Sequence, residues 1–550
     1  MPIARAIRWS LILLVAVAQA RAWADTYPRQ PGVDVVGYVF RLTLSDETDA
    51  IEAEAIVDVR FLASGATGVE LDLAGPTPEA PGRGMTVTGV FEAGGALDFT
   101  HARNRLVVRL SRPAAAGERR RITVRYGGIP ATGLVIGPNR HGDRGFFSDN
   151  WPDKARQWLP VVDHPSDKAA CEFDVTAPAR YQVVSNGLQV EETDLGDGRR
   201  RTRWVQSVPI ASWLYVLGVS PFAVDHRPAW RGIPIQTWVY PQDRDAGFHD
   251  FAVPSTDALE FYATRIGPYA YEKLANVQSN SVGGGMESAT AIFYDDDSVT
   301  GQRTTRWRNV VIHEIAHQWW GNAVTEHDWD DVWLSEGFAT YFTLLFIEHA
   351  YGRDEFVQGL LQSRDSVRTF DAKTPGYRLV HDNLADMSQV TTSQIYQKGG
   401  WTLHMLRRLV GDEAFWAGIR AYYARYLNAN ASTAGFRRTM EETTGRDLGW
   451  FFDQWLYRPG GLPKVRGTWR FDAQARAVRL ELEQVQVDPP YRLPIEVSIR
   501  RAGASAPRVE RIELRERRQV LSLPADEAPD AVTLDPGLWV LMDVELTRGD

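Results

Sequence analysis

Hydrophobic and polar positions change rhythm twice along the chain. From about residue 25 to 224, short runs at 53–61, 68–73, 105–110 and 121–126 alternate or are rich in β-branched residues, and Gly and Pro clusters such as GPTPEAPG at 75–82 separate them. A period of two predicts half-buried strands, and the breakers predict the turns between them. In the middle the apolar spacing becomes helical over 303–320, 332–351, 402–410 and 414–426, Ser255 stands where it would cap a helix running to about 266, and a strand-rich patch covers 276–294. PGGLP at 459–463 breaks that pattern. Alternation then returns, with Val478, Leu480 and Leu482 against Arg479 and Glu481, and with Ile495, Val497 and Ile499 on one face.

These patterns predict an α+β multidomain chain: a β-rich N-terminal domain over 25–225, a mostly α domain over 226–463 and a small C-terminal β sandwich over 464–550. The 550 residues suit about three domains, and a hydrophobic content of 44% suffices for sizeable cores. The start of the chain stands apart. Arg5 and Arg8 precede the apolar run WSLILLVAVA at 9–18, and AWA at 22–24 fits a small-residue cleavage site. That is a secretory signal over 1–24, too short to span a bilayer, and it predicts a soluble protein exported to the periplasm or secreted. Export permits disulfides, but the single Cys171, in the strand-like ACEFDV, has no partner in the chain and reads as a small core residue.

Net charge is −9 and the charges are mixed, with no basic block of the kind that binds nucleic acid. The runs at 119–121 and 511–518 read as solvated strand ends. The informative chemistry is HEIAH at 313–317, inside a predicted helix. Residues four apart share a helix face, so His313 and His317 can converge on one ion, with Glu314 beside them as general base; this is the zinc-peptidase arrangement. A catalytic zinc needs a third protein ligand. Glu336, separated from His317 by eighteen intervening residues and lying in WLSEGFA, returns over the histidines if the helix ends near 320, turns through 322–330 and a second helix starts near 331. An oxyanion donor is also required, and Tyr396 in QIYQKGG is a candidate that pattern alone does not single out from 19 tyrosines.

HEIAHQWWGN at 313–322, the eighteen-residue gap, WLSEGFA at 333–339, GGGMES at 283–288 and YQKGG at 396–400 together resemble the zinc aminopeptidases that include aminopeptidase N and leukotriene hydrolase. WLPVVDHPSDKA at 158–169 resembles that family's Phe-Pro-Cys-Phe-Asp-Glu-Pro signature, and VSNG at 184–187 the strand end that follows it; the likeness runs from about 38 to 463. It implies a thermolysin-like catalytic domain and one zinc ion held by His313, His317 and Glu336. It further implies Glu314 as general base and Tyr396 as the tyrosine that stabilises the tetrahedral intermediate. Glu287 becomes the acid that binds the free α-amine of the substrate, and Gly284, Gly285 and Met286 the strand along which the substrate backbone lies. There are departures. Ser288 replaces the usual Asn, and Trp151 stands where a Gln or Glu helps to hold the amine. Larger members carry a helical C-terminal domain over the site, and no segment here reads as one, so a more open cleft is expected. The expected partner is a peptide with a free N-terminus. The rivals are a thermolysin-type zinc endopeptidase, which has no use for an anion at Glu287, and a non-catalytic peptide-binding scaffold. Epoxide hydrolysis, known in one branch, has no support in these residues.

Overall fold

In a computed structural model, which describes residues 25–549 apart from 502 and 504, the early alternation becomes a mixed eight-stranded sheet. The expected signal segment lies outside the described residues. Strand order is Leu188–Asp194, Arg199–Ala211, Lys168–Pro178, Val33–Thr43, Ile51–Phe61, Arg119–Ile129, Gly84–Glu92 and Gly95–Ala96. One pair is parallel, with Tyr38 opposite Cys171, and the thiol is buried as expected of a core residue. Phe40, Val57, Ile122, Val124 and Phe173 fill the inner face. The outer face carries ion pairs such as Arg41–Glu54 and Arg201–Asp174. The run at 119–121 is not wholly solvated. Arg119 and Arg121 are exposed, but alternation turns Arg120 inward, where it donates to the carbonyls of Arg112 and Pro113 and to Glu118.

The middle of the chain pairs a five-stranded sheet with helices. Sheet order is Ala223–Trp230, Ile233–Val239, Leu274–Ser279, Ala291–Asp295 and, antiparallel at the edge, Gly285–Met286. The helices are α1 (Arg244–Arg265), α2 (Thr305–His317), α3 (Trp333–Tyr351), α4 (Arg353–Lys373), α5 (Gly399–Val410), α6 (Asp412–Tyr426) and α7 (Thr433–Thr444). Ser255 does not cap a helix. It lies within α1, with its hydroxyl donating to Phe251 O at 2.7 Å, just after Pro254. The proline resembles a boundary in sequence, yet burial of Phe251, Ala258, Leu259 and Tyr262 keeps the helix continuous through it. Beyond residue 463, two sheets of four and three strands follow, in line with the alternation there. Among the described residues, no helix is long and apolar enough to cross a membrane.

The first two units are joined by buried polar contacts. Asn186 Nδ2 donates to Ala289 O at 2.7 Å, and Thr290 Oγ1 accepts from Gly187 N at 2.7 Å. Asp25, at the start of the described chain, accepts from His164 Nε2 at 2.7 Å and from Trp329 N at 3.2 Å, while Arg29 lies against both Asp25 and Asp328. Lys168 reaches across to the loop after α2, where its Nζ donates to Asn322 O (2.9 Å), Ala323 O (3.2 Å) and Thr325 Oγ1 (2.9 Å).

Burial pushes the Lys168 ammonium down to about 7. Replacing it with methionine leaves three acceptors without their donor, and Lys168→Met is expected to lose about 1–3 kcal/mol in denaturant unfolding at neutral pH. A lysine titrating lower when folded than unfolded adds stability as pH rises from 7 toward its unfolded value, so the loss should grow over that window. An unchanged midpoint would show that the bridge carries no stability.

Candidate metal centre

Helix α2 presents His313 and His317 one turn apart, and α3 runs back over it with Glu336 in its first turn. Helix α2 ends at His317, earlier than the sequence spacing predicted. Trp319 and Trp320 turn into the core, and Trp320 bridges to Val324. The ring atoms His313 Nε2 and His317 Nε2 stand 3.0 Å apart, and Glu336 Oε2 lies 3.5 Å and 3.2 Å from them. Three donors bound to one tetrahedral zinc would be about 3.3 Å apart, so the set fits that ion without rearrangement. Glu336 Oε2 is buried and has no hydrogen-bond partner, which is the condition of a carboxylate oxygen built for a cation. His317 Nδ1 lies 3.0 Å from Trp320 O; donating to that carbonyl, it leaves the Nε2 lone pair for the metal. Burial would push the Glu336 carboxyl up, but His317 and His313 outweigh it and hold it at about 2.

The remaining predicted residues surround this set. Glu314 is buried beside it, and burial, then the charge of Glu287, push its carboxyl well above the usual range. Its side chain lies on Gly285, where a Cβ would overlap the carboxylate, whereas Gly283 and Gly284 face open space. Glu287 directly follows the Gly285–Met286 strand, nearly inaccessible, with Oε1 unpartnered and 3.9 Å from His317 Nδ1. Burial pushes it up to about 7 against the pull of His317. Tyr396 sits in the π-turn Gln394–Lys398 and its hydroxyl donates to Glu336 Oε1 at 2.7 Å. Gly337 and Gly399 set that distance: α3 and α5 meet so closely there that a Cβ on Gly337 would stand 2.9 Å from Gly399 Cα.

All nine predicted residues therefore gather at one place, with Met286 buried in register opposite Phe293 on the edge strand. Trp151 is used differently from the residue it replaces. Its ring packs edge-on between Trp213 (4.8 Å) and Trp329 (5.3 Å). Ser288 is buried in the turn beyond Glu287. Two residues escaped sequence reasoning. Gln318 Nε2 (3.0 Å) and Asn322 Nδ2 (2.6 Å) both donate to the Glu287 carbonyl, so the segment after His317 also fixes the acid. Both lie in HEIAHQWWGN, but nothing in the spacing says what an amide there would bind. A cleft of about 590 Å³ opens from His313 and Tyr396, lined by Asn309, Thr343, Gln358 and Gln362.

Known proteins resemble this chain in sequence and fold. The peptidase family M1 domain matches residues 254–455, and the peptidase M1 N-terminal domain matches 97–214. Glutamyl aminopeptidase of Mus musculus is 28% identical over 362 residues, 63% of this chain and 38% of that protein. Probable aminopeptidase 1 of Saccharolobus solfataricus is 28% identical over 320 residues, 56% of this chain and 40% of its own length. The chain thus spans well under half the length of these curated relatives. The crystal structure of an M1 zinc metallopeptidase from Deinococcus radiodurans superposes with a TM-score of 0.66 at 25% identity, over 77% of this chain and 93% of that one. With the two domain matches taking in more than half of its residues, and the site built from the motifs that first suggested the likeness, the chain belongs to peptidase family M1.

Proposed function

We propose that this protein is an exported zinc aminopeptidase that removes N-terminal residues from peptides. The observation that carries this reading is Glu287: a buried, unpartnered carboxylate beside the metal-ligand set, at the end of an exposed sheet edge. An anion in that position is explained by a cationic ligand, and the free ammonium of a peptide supplies one. Gly285 and Met286 form the edge strand, so an extended substrate can add to it by main-chain hydrogen bonds, with its N-terminus stopped at Glu287.

When bound by His313, His317 and Glu336, zinc would polarise the scissile carbonyl and lower the pKa of a water. The protein's own groups do the rest. Glu314 accepts the proton of the attacking water and returns it to the departing amine; its raised affinity for a proton suits both halves of that transfer. The Tyr396 hydroxyl, aimed into the same space, donates to the oxygen on which charge develops. The cleft beside His313 and Tyr396 lies away from Glu287 and has room for the leaving peptide. The glutamyl aminopeptidases among the relatives make a glutamyl amide one member of the substrate panel, alongside neutral and basic aminoacyl amides.

A free-amine peptide should be cleaved and its N-acetylated copy left intact, with chelation abolishing turnover; equal rates on both would point to an endopeptidase. Glu287→Gln should raise KM by about 10–100-fold, the loss of a charged hydrogen bond. Gly285→Ala should displace Glu314 and cut kcat by at least about a hundredfold, while zinc content by metal analysis stays stoichiometric. For export, N-terminal sequencing of the mature protein should read Asp25-Thr26-Tyr27, and a retained Met1 would rule out cleavage.

A further inference from the structure

Tyr396 sits on a short turn whose back is anchored by groups outside the metal centre. The turn Gln394–Lys398 is a π-turn between the α4 side of the domain and α5, and both of its polar ends are buried. Gln394, fully buried, donates through Nε2 to Asp371 Oδ1 at 2.6 Å. Lys398, 3% exposed, donates through Nζ to Gly460 O at 3.4 Å. Asp371 lies near the end of α4, half-buried, and attracts the Lys398 charge. The linker to the last domain closes over it: a Cβ on Gly461 would stand 3.3 Å from Asp371 Oδ2. That linker is fixed in turn by the last domain, since Tyr491 Oη donates to Gly461 O at 2.7 Å and Gly461 N donates to Asp488 Oδ2 at 3.3 Å.

Asp371 thus ties α4 to one end of the turn through Gln394, and Lys398 ties the other end to the linker at Gly460. None of these groups faces the metal ligands. What they share is the backbone on either side of Tyr396, two residues away in each direction. Tyr396 makes its hydrogen bond across to α3, so a shift of its own turn changes where its hydroxyl points.

Resting on the role proposed above for Tyr396, we propose that Asp371 is a positioning residue for that hydroxyl: through Gln394 it holds the π-turn in register, while Lys398 fastens the other end of the turn to the linker of the C-terminal β domain. Asp371 lies outside the metal-ligand set, and the residue of the turn that reaches into that set is Tyr396, bonded to Glu336.

A double-mutant cycle in the full-length zinc-loaded protein tests this, with an aminoacyl fluorogenic amide as substrate. Asp371→Ala should lower kcat by about ten- to a hundredfold with KM and zinc content little changed. In a Tyr396→Phe background the same substitution should cost nothing further, because the group it positions is gone. Asp371→Asn, which keeps an acceptor for Gln394, should recover most of the loss. If Asp371→Ala unfolds the protein, Gln394→Leu breaks the same hydrogen bond from the other side and enters the cycle instead. Losses that multiply in the double variant, or an unchanged kcat in the single one, would overturn the inference. If Tyr396→Phe itself keeps full turnover, the role of Tyr396 falls first and the inference with it; that outcome is distinct, because it appears in the single tyrosine variant.

Discussion

Three carboxylates, Glu287, Glu314 and Glu336, share one buried volume around His317, and this concentration of like charge is the constraint on which the centre depends. Burial disfavours every one of them as an anion. The two imidazoles lie closest to Glu336 and hold it low, whereas burial pushes Glu287 up to about 7 and Glu314 well above the usual carboxyl range. The three acids therefore differ in their hold on a proton, weakest at Glu336 and stronger at Glu287 and Glu314. A divalent metal at Glu336 and an ammonium at Glu287 would each relieve part of the strain that the fold has concentrated there.

Placement of these groups is a matter of missing side chains as much as present ones. Glu314 can lie on the edge strand only because Gly285 has no Cβ, and Tyr396 reaches Glu336 only because Gly337 and Gly399 let two helices touch by their backbones. The glycine ledge then has two functions at neighbouring positions. Gly283 and Gly284 leave room on the outside, and Gly285 leaves room for the base on the inside.

Much of this was legible in the sequence because its signals are local. His313 and His317 are one helical turn apart, the strand alternation is periodic, and Glu336 follows within one helix–turn–helix. Where sequence reasoning went wrong, tertiary burial had outvoted a local signal: Ser255 reads as a helix cap but lies inside α1, Arg120 looks solvated but is bonded to carbonyls, and α2 gives way at His317 to bury two tryptophans. What stayed out of reach were partnerships between distant residues. Nothing at 168 announces a bond to 322–325, nothing in Gln318 or Asn322 names the Glu287 carbonyl, and Trp151 gives no sign that its ring is spoken for by Trp213 and Trp329.

The Lys168 bridge bears on how such a chain can be inherited. Its ammonium belongs to the N-terminal β domain, while the three oxygens that receive it belong to the loop that also carries Asn322, one of the two amides gripping Glu287. Two of those oxygens are main-chain carbonyls that any sequence offers, so a foreign copy of the N-terminal domain would have to keep a donor at the lysine's place. The seam between the two domains is therefore one of matched polar groups, and a graft across it that lost the lysine would leave buried oxygens without their donor.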